Sequence, residues 1–471
     1  MPRFPALALA LTLAVASPGG ATGVRPDILV LFADDLAPDT IAALGNPEIR
    51  TPNLDRLVAR GTSFDRAYGM GGWGGAICVA SRAMLLTGRT LWDCDDGRSV
   101  KADADKGRLW PQRMAAAGYR TYFAGKWHNT GKPAAIFDET GTVRDRGMPS
   151  AGKDAYQRAG APGERWSPSD PAKGGHWEGG RHWTEVTADE AAARVARREP
   201  DDRPRFLLVA FNAPHDPRQS PREFVEQYPP GKVSVPANFL PAYPNAEAIG
   251  CGKSLRDEQL APFPRTREAV RLHRGEYYAI IAHLDAQIGR ILDALEKSGR
   301  ADRTLVIFSS DNGLAVGQHG LMGKQSLHEH SLRMPLILAG PGVPAGGRVG
   351  VPVHIFDVVP TALELAGADP ATGFRSLLPL LRGDESSARE ALIGSYMNLQ
   401  RAVVLREWKL IAYPKAGVVR LYNLAEDPLE TRDLAADPAH ADRRRQLFRR
   451  LQELQRQHGD KLDLAALGRT L

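Results

Sequence analysis

The chain has 471 residues, 25% charged and 43% apolar, with a formal net charge of +6. That length and balance exclude wholesale disorder and leave room for a large core and two domains. Three cysteines exclude a disulfide scaffold. The basic residues are scattered apart from Arg443-Arg444-Arg445 and carry no binding motif, so no nucleic-acid partner is expected.

Residues 1–23 open with Arg3, run through alanine and leucine from Ala6 to Ala16, and close on small residues. They read as a secretory signal peptide, too short to span a bilayer. No later segment is apolar over a spanning length, so the expected chain is exported, periplasmic or secreted, without stable membrane insertion.

Ile28 to Phe32 is a continuous apolar run that ends in Asp34-Asp35. Continuous rather than alternating apolarity predicts a strand buried on both faces, as in a parallel sheet under helices. Arg205 to Phe211, before Asn212-Ala213-Pro214-His215, and Thr304 to Ser310, before Asp311-Asn312, repeat the pattern. Each places polar groups at the carboxyl end of a buried strand, where open α/β sheets bind ligands.

Helices are predicted over residues 54–61, 110–118, 188–198 and 266–298, the last with an apolar stripe from Tyr278 to Leu295 at helical spacing. Residues 129–182 read as an insertion rich in glycine, proline and charge. Its Trp177, like Trp183 just after it, either stacks on a ligand or pins the loop. After about residue 375, three short strands (402–405, 408–413 and 418–422) and a helix over 439–458 predict a smaller α+β domain. The expected organisation is a catalytic α/β domain over 24–375 and a C-terminal domain over 376–471.

Cys78-Val79-Ala80-Ser81-Arg82 follows a glycine-rich approach, Gly69 to Gly75, and leads into a helical stretch over 83–87. Taken alone, Cys78 is a thiol with an ordinary pKa of about 8.5, or a buried cysteine beside a helix start. Asp34, Asp35, Asp311 and Asn312 are hard oxygen ligands suited to Ca²⁺ or Mg²⁺, yet each pair alone is also an ordinary cap or turn. No Cys or His cluster has zinc spacing, and His328-Glu329-His330 lacks that of a zinc motif. Cys94 and Cys251 are left to pair or stay free.

Six blocks in order resemble the formylglycine-dependent sulfatases, arylsulfatase-like members of the alkaline phosphatase superfamily. Ile28 to Asp35 with Thr51-Pro52-Asn53-Leu54-Asp55-Arg56-Leu57 is similar to the family's opening block, and Cys78 to Arg82 with Leu86-Thr87-Gly88-Arg89 to its modification signature. Gly118-Tyr119-Arg120-Thr121 with Gly125-Lys126-Trp127-His128 resembles the second signature, and Pro214-His215-Asp216-Pro217 a proline-flanked histidine motif. Asp311-Asn312-Gly313 to Lys324 and Leu421 to Leu434 resemble the late metal block and the C-terminal tail.

The resemblance implies a large mixed, mostly parallel sheet between helices, and conversion of Cys78 to formylglycine by a maturation enzyme. Asp34, Asp35, Asp311 and Asn312 would bind one divalent ion, calcium, with the modified Cys78 as a further ligand. Lys126 and Lys324 would surround the sulfate, and Arg82 would hold the hydrated aldehyde. His215 with Lys324 would protonate the leaving oxygen, and His128 would take the proton that releases sulfate. Asp311 is the candidate acceptor of the first proton. His319 stays open between substrate contact and loop packing.

The implied reaction is hydrolysis of a sulfate ester on a small aryl molecule or a glycan fragment. A phosphonate monoester or phosphodiester hydrolase, and a catalytically silent glycan-binding protein, are the rivals. Ala80 stands where many members have proline, which leaves the maturation route open.

Overall fold

The structure, a computed structural model, describes residues 25–145 and 152–469; the expected signal peptide lies outside them. Eight strands form the main sheet: β1 Asp27–Ala33, β2 Thr62–Phe64, β3 Arg120–Lys126, β4 Glu139–Arg144, β5 Arg205–Ala210, β6 Thr304–Ser310, β7 Leu336–Ala339 and β8 Gly347–Val349. Their order is β8-β2-β7-β6-β1-β5-β3-β4. All neighbours pair in parallel except those of β7, which is antiparallel to both β2 and β6, so the sheet is mixed and mostly parallel.

The continuous apolar runs are buried on both faces. Ile28, Val30 and Phe32 of β1 enter one core, while Leu29, Leu31 and Ala33 enter the other. The same split holds along β5 and β6, with Phe206, Leu208, Leu305 and Ile307 on the first face and Leu207, Val209, Val306 and Phe308 on the second. Each such side chain contributes about 1.5–3 kcal/mol by leaving water.

Helices α1 Pro52–Arg60, α2 Ile77–Thr87, α3 Trp110–Ala116, α4 Trp183–Ala196, α5 Arg267–Lys297 and α6 Ala441–Gln457 are the main ones. α2 and α3 cover the first face, and α1, α4 and α5 cover the second. α5 is the long predicted helix. Its N-cap Thr266 accepts from the Ala269 amide, and its stripe packs into the core as an ordinary amphipathic face.

The smaller sheet is a meander of β9 Ala391–Tyr396, β10 Gln400–Leu405, β11 Trp408–Tyr413 and β12 Val418–Asn423, crossed by α6. A two-residue segment far upstream, Gly71–Gly72, adds to it in parallel beside β9. A Cβ at Gly71 would fall 1.9 Å from the Ser395 carbonyl oxygen, which is why the glycine-rich approach to Cys78 can lie against this sheet.

Six strands, β2, β3, β4, β7, β8 and β9, depart from the sequence reading. β3 mixes charged, small and aromatic residues, and β9 contains Gly394 and Ser395, so neither carries a continuous apolar signature. β4 lies within the expected insertion, because an edge strand is paired on one side only and tolerates polar residues. Trp183 opens α4 with the Arg144 guanidinium 3.7 Å from its ring centroid, and Trp177 is half-buried edge-on against His182. Both are structural pins rather than free stacking platforms.

Cys94 and Cys251 are buried and unpaired, the first beside Thr87 and the second beside the Gln325 carbonyl. Titration of the denatured chain is expected to yield three thiols when Cys78 is unmodified and two once it has been converted. A count of one or none would mean that Cys94 and Cys251 pair.

Candidate active site

β1, β3, β5 and β6 run in parallel, so their carboxyl ends reach the same edge of the sheet. Asp34-Asp35 leaves β1, Lys126 ends β3, His215 follows β5, and Asp311-Asn312 leaves β6. The Asp34-Asp35 turn requires a left-handed backbone at Asp35, φ 68°, a conformation that costs a non-glycine residue about 1–3 kcal/mol. The surroundings impose it. The Asp35 amide donates to Asp311 Oδ1 at 3.1 Å, the Leu36 amide to Ser310 Oγ at 2.9 Å, and Tyr277 OH of α5 donates to the Asp35 carbonyl at 2.6 Å.

Cys78 is the second residue of α2 and is 1% exposed. Its Sγ lies 3.4 Å from Asp34 Oδ1, 3.7 Å from Asp35 Oδ1, 3.0 Å from Lys324 Nζ and 3.4 Å from Asn312 Nδ2. Arg82 falls one helical turn later on the same face. Its guanidinium donates to Asp311 Oδ2 at 3.0 Å, to Asp34 Oδ2 at 3.2 Å and to the Lys126 carbonyl at 2.7 Å. Beside the unmodified Cys78, Arg82 thus clamps two carboxylates, Asp34 and Asp311. Ala80 packs beside Gly72, where an added Cβ would stand 3.4 Å from its own.

Lys126 is fully buried and ion-paired with Asp34. Gly125 makes its approach possible. The β3–β4 register shifts at this point, Gly125 has φ 99°, and a Cβ there would sit 1.9 Å from the Ala210 carbonyl oxygen. Lys324 closes the other side, with Nζ 2.6 and 2.8 Å from the Asp35 oxygens.

His215 Nδ1 lies 2.6 Å from the Asp216 carbonyl oxygen. A carbonyl only accepts, so Nδ1 carries the proton and Nε2 faces the site, 3.7 Å from Asp35 Oδ2. Burial, with Lys324 and Lys126 nearby, holds the ring well below the usual histidine range. His128 follows Lys126 by two residues with φ 54°, and its buried Nδ1 has no partner among the described residues. Burial and Lys126 push its pKa down to about 3.

The electrostatics are those of carboxylates crowded together and cut off from water. Burial, joined by Asp34 and Asp311 and opposed by Lys324, pushes Asp35 up to about 8. Burial and Asp34 also raise Asp311. Asp34 goes the other way, because Lys126 and Arg82 together outweigh its burial. For Cys78, burial and the Asp311 and Asp34 carboxylates, opposed by Lys324, hold the thiol well above its ordinary range. Oxygen donors converging on one point, with a carboxyl crowded enough to resist ionisation, fit a hard divalent cation.

Ligand-type atoms of Asp34, Asp35, Cys78 and His215 lie within 4.8 Å of one another. The sequence-based set had Asp311 and Asn312 in place of His215. Both stand alongside, Asp311 through the Asp35 amide and Asn312 through Cys78 Sγ. His319, by contrast, is loop packing. Its Nε2 lies 3.0 Å from the Glu430 carbonyl, and its ring stacks on His328 at 4.1 Å. His330 stacks beside them.

Sequence reasoning missed the support behind His215. His176 Nε2 donates to the His215 carbonyl at 3.0 Å, and the His176 amide donates to Gln219 Oε1 at 2.8 Å. His182 Nε2 donates to the Gln219 carbonyl at 3.0 Å, and the two imidazoles stack at 4.9 Å. The signal was present as two histidines in a polar insertion, but only the fold brings them against the His215 loop.

The general sulfatase family model matches residues 26–368, and that for the C-terminal part of N-sulphoglucosamine sulphohydrolase matches residues 317–457. The chain belongs to the sulfatase family. Human arylsulfatase A is 30% identical to this sulfatase over 414 residues, covering 83% of this chain and 73% of that protein. A protein solved with its substrate D-glucosamine-2-N,6-O-disulfate shares the fold, with a TM-score of 0.70 at 22% identity over 93% of this chain and 99% of the other. So does the phosphonate monoester hydrolase of Agrobacterium radiobacter, with a TM-score of 0.71 at 23% identity over 92% and 96%. The enzyme is a sulfuric ester hydrolase of alkaline phosphatase-like fold.

Two substitutions probe the scaffold of this sulfatase. Gly125→Ala is expected to destabilise by roughly 3 kcal/mol or more, read as a lowered Tm, because backbone must move to admit the methyl. His176 takes up a proton near 6.5 when unfolded, whereas burial holds the folded ring to about 4. Its contribution is therefore complete above pH 6.5 and lost as pH falls towards 4. His176→Gln, which keeps a donor for the His215 carbonyl, is expected to flatten the fall of Tm across that window.

Proposed function

We propose that this sulfatase is an exported enzyme in which Cys78 is converted to formylglycine and a calcium ion is held by Asp34, Asp35, Asp311 and Asn312. The observation that carries the reading is the placement of Cys78 Sγ among two carboxylates, an amide and the Lys324 ammonium, at the convergence of the parallel strands. No helix among the described residues is long and apolar enough to cross a membrane. Export rests on the character of residues 1–23.

When bound, the cation supplies Lewis-acid stabilisation of the sulfate oxygens. Formylglycine supplies a hydrated aldehyde, one hydroxyl to attack sulfur and a second to expel sulfate afterwards, which splits a difficult displacement into two easier steps. Around it, three buried carboxylates face three buried cations, Arg82, Lys126 and Lys324. The set is balanced by itself, so a divalent ion leaves it with two surplus positive charges for an anionic substrate and a developing oxyanion.

Arg82 holds the hydrated aldehyde and keeps Asp34 and Asp311 in register with it. Lys126 and Lys324 hold sulfate oxygens. His215 presents Nε2 towards the leaving oxygen, and Lys324 shares delivery of the proton. His128, held neutral, is available as the base that releases sulfate. Asp311 is the candidate acceptor of the first proton.

The substrate we favour is a sulfated carbohydrate fragment. The protein solved with D-glucosamine-2-N,6-O-disulfate supports that class, as does a net positive chain.

Cys78→Ala is expected to lower kcat on an aryl sulfate by about 10³-fold or more, while stripping with EDTA abolishes turnover and Ca²⁺ restores it. On the intact enzyme, kcat/KM for an aryl sulfate is expected to exceed that for the matching aryl phosphodiester. The opposite order would assign the site to the phosphodiester rival.

A further inference from the structure

Beside the glycine-rich approach to Cys78 lies a cavity of about 640 Å³ that takes no part in the chemistry above. Its size falls within the range of small-ligand sites, about 300–1,000 Å³. Two half-buried tryptophans, Trp73 and Trp92, line it. His458 stacks on the Trp92 ring at 5.0 Å, and Trp73 packs beside Gly97, so both indoles are braced while still reaching the cavity. Bound water is a poor partner for an indole face, whereas the C–H face of a pyranose ring is a good one.

The charges of the lining narrow the ligand. Asp95, Asp96, Asp460 and Asp463 are set against Arg401 and Lys461, a local excess of carboxylates in a chain whose net charge is +6. Asp95 is bridged by Arg98, and Asp460 by Arg401. Asp96 and Asn398 are exposed and supply an acceptor and an amide for sugar hydroxyls. Such a lining repels sulfate and tolerates an uncharged ring.

Position ties the cavity to the active site. Trp73 precedes Cys78 by five residues, so the two Cα atoms are no more than about 18 Å apart along the chain. The intervening loop is anchored to the catalytic side, because Gln325, next to Lys324, donates through Nε2 to the Gly75 carbonyl at 3.0 Å.

We propose that Trp73 and Trp92 form a subsite for an unsulfated sugar unit of the glycan whose sulfated unit is held at Cys78. This rests on the carbohydrate reading of the substrate. It makes the enzyme selective for a sulfate flanked by neutral sugar rather than for a densely sulfated chain.

The test is binding of the full-length Cys78→Ala chain to an array of neutral, sparsely sulfated and densely sulfated oligosaccharides, repeated with Trp73→Ala, Trp92→Ala and Trp73→Phe added. Thermal melts check that each variant folds. Binding to sparsely sulfated or neutral oligosaccharides is expected to fall about tenfold or more in the alanine variants, with Trp73→Phe, which keeps a flat ring, recovering most of it. Equal binding by all variants, a requirement for sulfate on every unit, no glycan binding at all, or displacement by choline chloride would each overturn the subsite, the last in favour of a cation cage. Aryl sulfate turnover by the unsubstituted chain is measured in parallel. Its absence would count against the catalytic reading, whereas an array unaffected by the tryptophans counts against the subsite alone.

Discussion

The structure depends on burying six opposite charges at one edge of a sheet. Asp34, Asp35 and Asp311 are 0% exposed at their side chains, and Arg82, Lys126 and Lys324 no more than 4%. Removing one partner of such a pair costs about 3–5 kcal/mol, because the other charge is left stranded. Each residue is consequently held from several directions. The left-handed turn at Asp35, the bulge at Gly125 and the reach of Tyr277 from the long helix are the local results of that constraint.

The same logic extends to the smaller sheet. Lys409 of β11 is buried 2.9 Å from both Glu329 and Glu430, and His328 lies 2.9 Å from Glu430. This second buried network joins the C-terminal sheet to the segment that carries Lys324. Gly71–Gly72 joins it to the approach to Cys78. The smaller sheet is thus tied to the segments that bear Cys78 and Lys324, and the Trp73–Trp92 cavity lies beside its Gly71–Gly72 edge and the β9–β10 turn.

Much of this was legible in the sequence. β1, β5 and β6 are readable because strands covered on both faces need uninterrupted apolar residues, and the polar groups that end them have few other roles at that position. α5 is readable because its stripe persists over many turns. β3, β4 and β9 were not, since edge position, glycine and aromatic–polar mixing erase the pattern. At the site, the residue types were legible but their partners were not. Nothing in the spacing of Cys78 and Arg82 says whether the guanidinium reaches the sulfur or the carboxylates, because both lie within one helical turn of it. His176 and His182 were invisible as supports for His215 for a similar reason: their contacts cross from an insertion to a distant strand end.

The central claim is that Cys78 serves the reaction as an aldehyde rather than as a thiol. Burial and two carboxylates hold the unmodified thiol above its ordinary range, and Lys324 lies 3.0 Å from its sulfur. Peptide mass spectrometry of the segment spanning Cys78, taken from enzyme active on sulfate esters, tests this most directly. Formylglycine in place of cysteine is the expected result, in proportion to specific activity across preparations. An intact thiol in fully active enzyme would contradict it.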